Sequence, residues 1–174
     1  MKAVAFGVAL ALVSSGAVLA QAPAGPPRPP GPPAQPARGP SSAVAVDMAE
    51  AAVAACAANG YKVTAVVVNS AGAPRVQISA DGAPDMTGAV GLRKAFTTIT
   101  FSQPSGVVGD RAKTDPALAD RIKNDPKLIT WAGGIPLMAG GELIGALGVS
   151  GAPGGDKDEA CANAAIAKVR DRLG

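Results

Sequence analysis

Residues 133–152, GGIPLMAGGELIGALGVSGA, constrain the fold more than any other stretch, because they spell two apolar strands joined by a double-glycine turn. Ile135 to Met138 and Leu143 to Val149 pair as a hairpin around Gly140 and Gly141. Gly145, Gly148 and Gly151 leave space on or beside the second strand for a neighbouring backbone to approach closely. The chain then enters a helix-like run, DKDEACANAAIAKVRDRL, at residues 156–173.

The rest of the chain supplies the partners such a hairpin needs. Ser41 or Ser42 caps an alanine-rich helix reaching residue 58, and Asn59-Gly60 stops it. Residues 63–68 form a β-branched strand, 69–74 a turn, and 75–79 the returning strand. Pro84 opens a second helix, on which Ala89, Leu92, Phe96 and Ile99 form the expected core-facing stripe. Residues 102–127 form a long connection holding one short helix, 116–123, between Asp115-Pro116 and Asp125-Pro126. Helices thus alternate with hairpins in an α+β arrangement built on a mainly antiparallel sheet.

The ordered domain does not begin at residue 1. Residues 1–20 carry Lys2, an apolar run and a small-residue end, Val18-Leu19-Ala20, as a cleaved secretory signal does. The run is too short for a stable membrane span, and residues 21–40 form a Pro/Ala/Gly-rich linker that cannot bury a core. The domain is assigned to residues 41–174 and the mature protein to the periplasm or the exterior. In an oxidising compartment Cys56 and Cys161 can form a disulfide; two small buried thiols are the alternative.

Composition removes several function classes. The chain has no histidine, which excludes a Ser-His-Asp triad and imidazole ligation of iron. Two widely spaced cysteines make no zinc set, so no metal site is expected. A net charge of +3 with interspersed signs, and only one Trp, one Tyr and three Phe, argues against a nucleic-acid platform. Asp156 and Glu159 have the spacing of a helix-capping pair rather than a cation site. Asp81 and Asp85 likewise serve a turn and a helix start, so no catalytic residue is assigned.

Thr87, Gly91, Lys94 and Thr98 share a narrow sector of the second helix, a small-residue polar face around one cation. That face either lines a ligand groove or is an ordinary solvated surface.

The ordered set Gly145, Gly148, Val149, Ser150, Gly151, then Asp158, Cys161 and Ala162, resembles the signature of the GlcG/HbpS family of haem-binding-type domains, related to the C-terminal domain of PduO-type proteins. The alanine-rich first helix, Asp81-Gly82-Ala83, and Lys94-Ala95 with Thr97 also match. The resemblance implies a profilin-like three-layer α/β/α fold with a five-stranded sheet, and haem or a related tetrapyrrole as ligand. It implies a ligand surface around the second helix, for which Lys94, Thr87, Gly91, Thr98, Tyr61 and Met86 are the candidates. Tyr61, Met48, Met86 and Met138 have the chemistry of axial ligands, and Lys94, Arg75 or Arg93 that of carboxylate partners. The leading expectation is an exported small-ligand-binding protein. The alternatives are a non-catalytic homo-oligomeric accessory or sensory module, and a tetrapyrrole-degrading enzyme.

Overall fold

The computed structural model describes residues 36–174, so the signal-peptide assignment and most of the linker lie outside the described residues. Helix α1 (Ser42–Ala57) leads into the hairpin of β1 (Thr64–Asn69) and β2 (Pro74–Ser79). Three helices follow, α2 (Thr87–Phe101), α3 (Ser105–Ala112) and α4 (Pro116–Asn124). The hairpin of β3 (Gly134–Ala139) and β4 (Glu142–Ser150) and helix α5 (Gly155–Val169) complete the fold, with a terminal 3-10 turn at Arg170–Arg172.

The four strands form one antiparallel sheet in the order β2-β1-β4-β3. Helices α1 and α5 pack on one face of the sheet and α2 on the other. Strand β1 is buried along its whole length, because its alternating side chains serve two cores. Val63, Ala65 and Val67 meet Met48, Ala52, Ala162 and Ala165, while Val66 and Val68 meet Ala95. Gly140 and Gly141 make the two-residue turn between β3 and β4, both with positive φ (+56° and +83°), as a hairpin of that length requires.

Helix ends follow local chemistry at α1 and α4. The Ser41 hydroxyl accepts from the Val44 N–H, and the Asp115 carboxylate accepts from the Leu118 N–H. The expected Asp156/Glu159 capping pair does not cap α5, whose N-cap is Gly154 with no side-chain hydrogen bond.

The sheet has four strands rather than five. Residues 128–131, just before β3, contain the buried Leu128 and Ile129 but join no ladder, because side chains take up their backbone groups. The Thr97 hydroxyl accepts from the Ile129 N–H at 2.9 Å and also lies 2.9 Å from the Ile129 carbonyl. Arg93 donates to the Leu128 carbonyl, and Ser105 to that of Trp131. The 102–127 connection is likewise more ordered than expected, since it carries α3 as well as α4.

The orientation of α2 follows its hydrophobic pattern only in part: Leu92 and Ile99 pack against Val66, Val68, Ala95 and Ala146, but the small-residue side lies closest to the sheet. Its buried residues are Thr87, Gly88, Gly91, Lys94, Ala95, Thr97 and Thr98, whereas Ala89 is exposed and Leu92, Phe96 and Ile99 are only partly buried. Glycines in the sheet explain this. A Cβ on Gly134 would stand 2.5 Å from the Lys94 carbonyl oxygen, and one on Gly148 would stand 3.0 Å from the Ala95 nitrogen. The helix backbone rests almost directly on β3 and β4, so only small or hydrogen-bonding side chains fit beneath it.

Candidate functional site

The polar face predicted on α2 lies against the sheet, and of its four members Lys94 alone borders a recess among the described residues. Thr87 Oγ1 bonds Thr64 Oγ1 at 2.7 Å and donates to the Pro84 carbonyl. Gly91 meets the Gly148 carbonyl and the Val66 side chain, and Thr98 donates to the Lys94 carbonyl. All three positions set the approach of α2 to the sheet.

Lys94 is also buried, at 1% exposure, and reaches across the end of β4. Its Nζ lies 2.7 Å from Asp158 Oδ2 and donates to the Val149 carbonyl at 2.9 Å. The second carboxylate oxygen of Asp158 accepts from the Ala152 N–H, so this one side chain ties α2, the Ser150–Ala152 corner and the first turn of α5 together. Burial is the largest influence on both groups: it lowers the Lys94 pKa from 10.5 and raises that of Asp158 from 3.8, against the mutual attraction of the pair. Lys94 and Asp158 form the floor of a recess of about 280 Å³ bordered by Trp131, Ser150, Gly151 and Gly154. Two of the three ammonium donors are taken by Asp158 and Val149, which makes Lys94 a tie within the fold.

The remaining candidates do not converge on Lys94. Tyr61 borders a recess of about 240 Å³ between α1 and α5, next to Lys157 and Cys161. Cys56 and Cys161 form a disulfide there, with Cα atoms 5.4 Å apart, joining the last turn of α1 to α5. Met86 is 69% exposed at the start of α2, Met138 is 46% exposed on the edge strand β3, and Met48 is fully enclosed beneath α1. Arg75 is exposed on β2. Among the described residues no cluster of three potential metal ligands occurs, and no helix is long and apolar enough to cross a membrane.

The outward side of α2 carries a different site. Leu92, which also packs at the edge of the core, and the partly exposed Phe96 form with Gly72, Pro126, Arg93 and Lys127 a largely apolar recess of about 350 Å³. Gly72, at φ +76°, lets the β1–β2 turn pass under the Phe96 ring, since a Cβ there would come within 2.9 Å of Phe96 Cδ2. The Arg93 guanidinium is held by a 2.8 Å bond from Nη2 to the Leu128 carbonyl, and its Nε is buried without a partner. Lys127 Nζ stands 5.8 Å from the centre of the Phe96 ring. An apolar wall beside two cations, one held by its hydrogen bond and one exposed, suits a flat apolar molecule carrying carboxylates. Sequence reasoning missed this recess because it placed Phe96 in the core with Leu92; the small-residue stripe of Thr87, Gly91 and Thr98 was the signal that α2 turns its small side to the sheet.

The chain matches, over residues 41–167, the family described as haem degrading protein HbpS-like. A crystal structure of a double mutant of HbpS from Streptomyces reticuli is 32% identical, with 84% of this chain and 97% of that chain covered at a TM-score of 0.71. A second HbpS structure is also 32% identical, with 82% and 98% covered at a TM-score of 0.71. A structure titled as a complex of PduOC with heme is 24% identical, with 78% and 97% covered at a TM-score of 0.70, and shares the fold. No functionally curated protein matches the chain.

Proposed function

This chain belongs to the HbpS-like family, and we propose on that premise that it is an exported protein that binds haem or a related tetrapyrrole on the outward face of α2. The observation that carries the reading is the recess walled by Leu92 and Phe96 and flanked by Arg93 and Lys127. The family is described by haem chemistry, and a tetrapyrrole is an apolar plate edged with carboxylates. In this reading Leu92, Phe96 and Pro126 take the plate and the two cations take the carboxylates. At about 350 Å³ the recess is near the lower end of the range for small-molecule sites, so the ligand seats one edge and keeps the other exposed.

Export is proposed from the signal-like residues 1–20, and the Cys56–Cys161 disulfide supports it because such bonds persist in oxidising compartments. The role assigned is binding; Lys94 and Asp158, the buried ionisable pair, serve the fold.

Titration of the mature chain, residues 21–174, with haemin tests the reading by absorbance. A saturable Soret change at fixed stoichiometry is expected. A response no larger than that of the urea-unfolded chain overturns it.

A further inference from the structure

We infer that the recess on α2 selects its ligand by carboxylates and not by iron, so that an iron-free porphyrin diacid binds about as tightly as haem. The inference rests on the tetrapyrrole reading and specifies what that site recognises.

Among the described residues, the side chains that line the recess supply apolar surface and positive charge and no imidazole, sulfur or phenol ligand for iron: Leu92, Phe96 and Pro126 with Arg93 and Lys127. The chain has no histidine, and both cysteines are consumed in the disulfide. The described methionine and tyrosine side chains lie elsewhere. Met48 is enclosed in the opposite core, Tyr61 borders the recess between α1 and α5, and neither Met86 nor Met138 lines the α2 recess. Among the described lining residues only the Lys127 amine could ligate iron, and then only uncharged; as an ammonium it serves a carboxylate instead.

Carboxylate recognition, in contrast, is built in. The Leu128 carbonyl fixes one end of the Arg93 guanidinium, so the planar donor group is held before any ligand arrives. The remaining guanidinium nitrogen, Nη1, makes no hydrogen bond to the described residues and carries the charge toward the recess that Arg93 lines. Lys127 brings a second cation over the Phe96 ring, on the same surface that would carry the macrocycle. Two charges beside one apolar wall match a ligand with carboxylates on one edge, whether or not a metal occupies its centre.

The test measures dissociation constants of the full mature chain by equilibrium dialysis for haemin, iron-free protoporphyrin IX and protoporphyrin IX dimethyl ester. The expected result is that haemin and the iron-free diacid agree within about threefold, while the uncharged ester binds at least about tenfold more weakly. Arg93→Gln is expected to weaken the diacid about tenfold and leave the ester nearly unchanged, which separates lost recognition from a general loss of fold. Haemin binding at least about tenfold tighter than the iron-free diacid overturns the inference while leaving the tetrapyrrole reading intact. Equal binding of ester and diacid also overturns it. Binding of none of the three refutes the tetrapyrrole reading itself.

Discussion

Replacing Lys94 with methionine keeps most of the side-chain length but strands the Asp158 carboxylate, which is 3% exposed. Breaking a buried ion pair from one side costs about 3–5 kcal/mol, because the remaining charge loses its partner without regaining water. For a domain of this size, each kcal/mol lowers the melting temperature by roughly 2–4 °C, so a fall of about 10 °C is expected. Asp158→Asn keeps an oxygen to accept the Ala152 N–H that the native carboxylate holds at 2.9 Å, but leaves the Lys94 ammonium buried without its counter-charge. The double variant Lys94→Met with Asp158→Asn removes both charges and should recover to within about 1–2 kcal/mol of the wild type, since apolar replacement of a whole buried pair is often near neutral. Urea denaturation of the four proteins gives the cycle. Additive losses, or a Lys94→Met loss below about 1 kcal/mol, would refute the claim that this pair ties α2 to α5.

The same pair sets a pH dependence with a defined sign. Between the lowered native pKa of Lys94 and 10.5 the unfolded chain holds the extra proton, so stability should rise with pH in that window. Between 3.8 and the raised native pKa of Asp158 the native state holds the extra proton, so stability should fall as pH rises. Both contributions should disappear in the double variant, and identical pH curves for it and the wild type would contradict them. Gly148→Ala places a Cβ 2.9 Å from the Gly91 carbonyl carbon and 3.0 Å from the Ala95 nitrogen, both backbone, and should cost about 1–3 kcal/mol or more by urea denaturation. An unchanged midpoint would show that α2 does not rest on that glycine. Reducing the Cys56–Cys161 bridge, which spans a sequence separation of 105, removes a constraint worth up to about 4.7 kcal/mol in the chain-entropy treatment. The reduced protein should melt well below the oxidised one in paired calorimetric scans, and equal melting temperatures would count against that contribution.

Where the fold depends on near neighbours, it was legible in the sequence. Ser41 and Asp115 cap the helices expected of them, and Gly140-Gly141 turns the hairpin that the glycine pattern announced. The family motif is legible as a pattern of residue types, although Gly148 and Asp158 act through contacts to α2 that are distant in sequence. What escaped depended on distant partners. The apolar stripe of Leu92, Phe96 and Ile99 has the right period for a core face, and Leu92 and Ile99 do pack at the core's edge, but periodicity cannot reveal that glycines on β3 and β4 bring the small-residue side of α2 closest to the sheet. Residues 128–131 have buried apolar side chains yet form no strand, because Thr97, Arg93 and Ser105 occupy their backbone groups from other helices. Lys94 could be singled out on its helix, but its partner lies 64 residues away. Arg93 and Lys127 face one recess only because the chain between them folds back over α2.

The most direct test of the account is haemin binding by Phe96→Glu beside Val107→Glu. Phe96 forms the wall of the α2 recess, whereas Val107 is 44% exposed on α3 and borders a different depression. A buried-edge carboxylate placed among the ligand's own carboxylates should weaken binding by Phe96→Glu at least about tenfold, equivalent to about 1.4 kcal/mol, and leave Val107→Glu close to the wild type. Wild-type affinity in Phe96→Glu, with both variants folded, would contradict the placement of the ligand on α2.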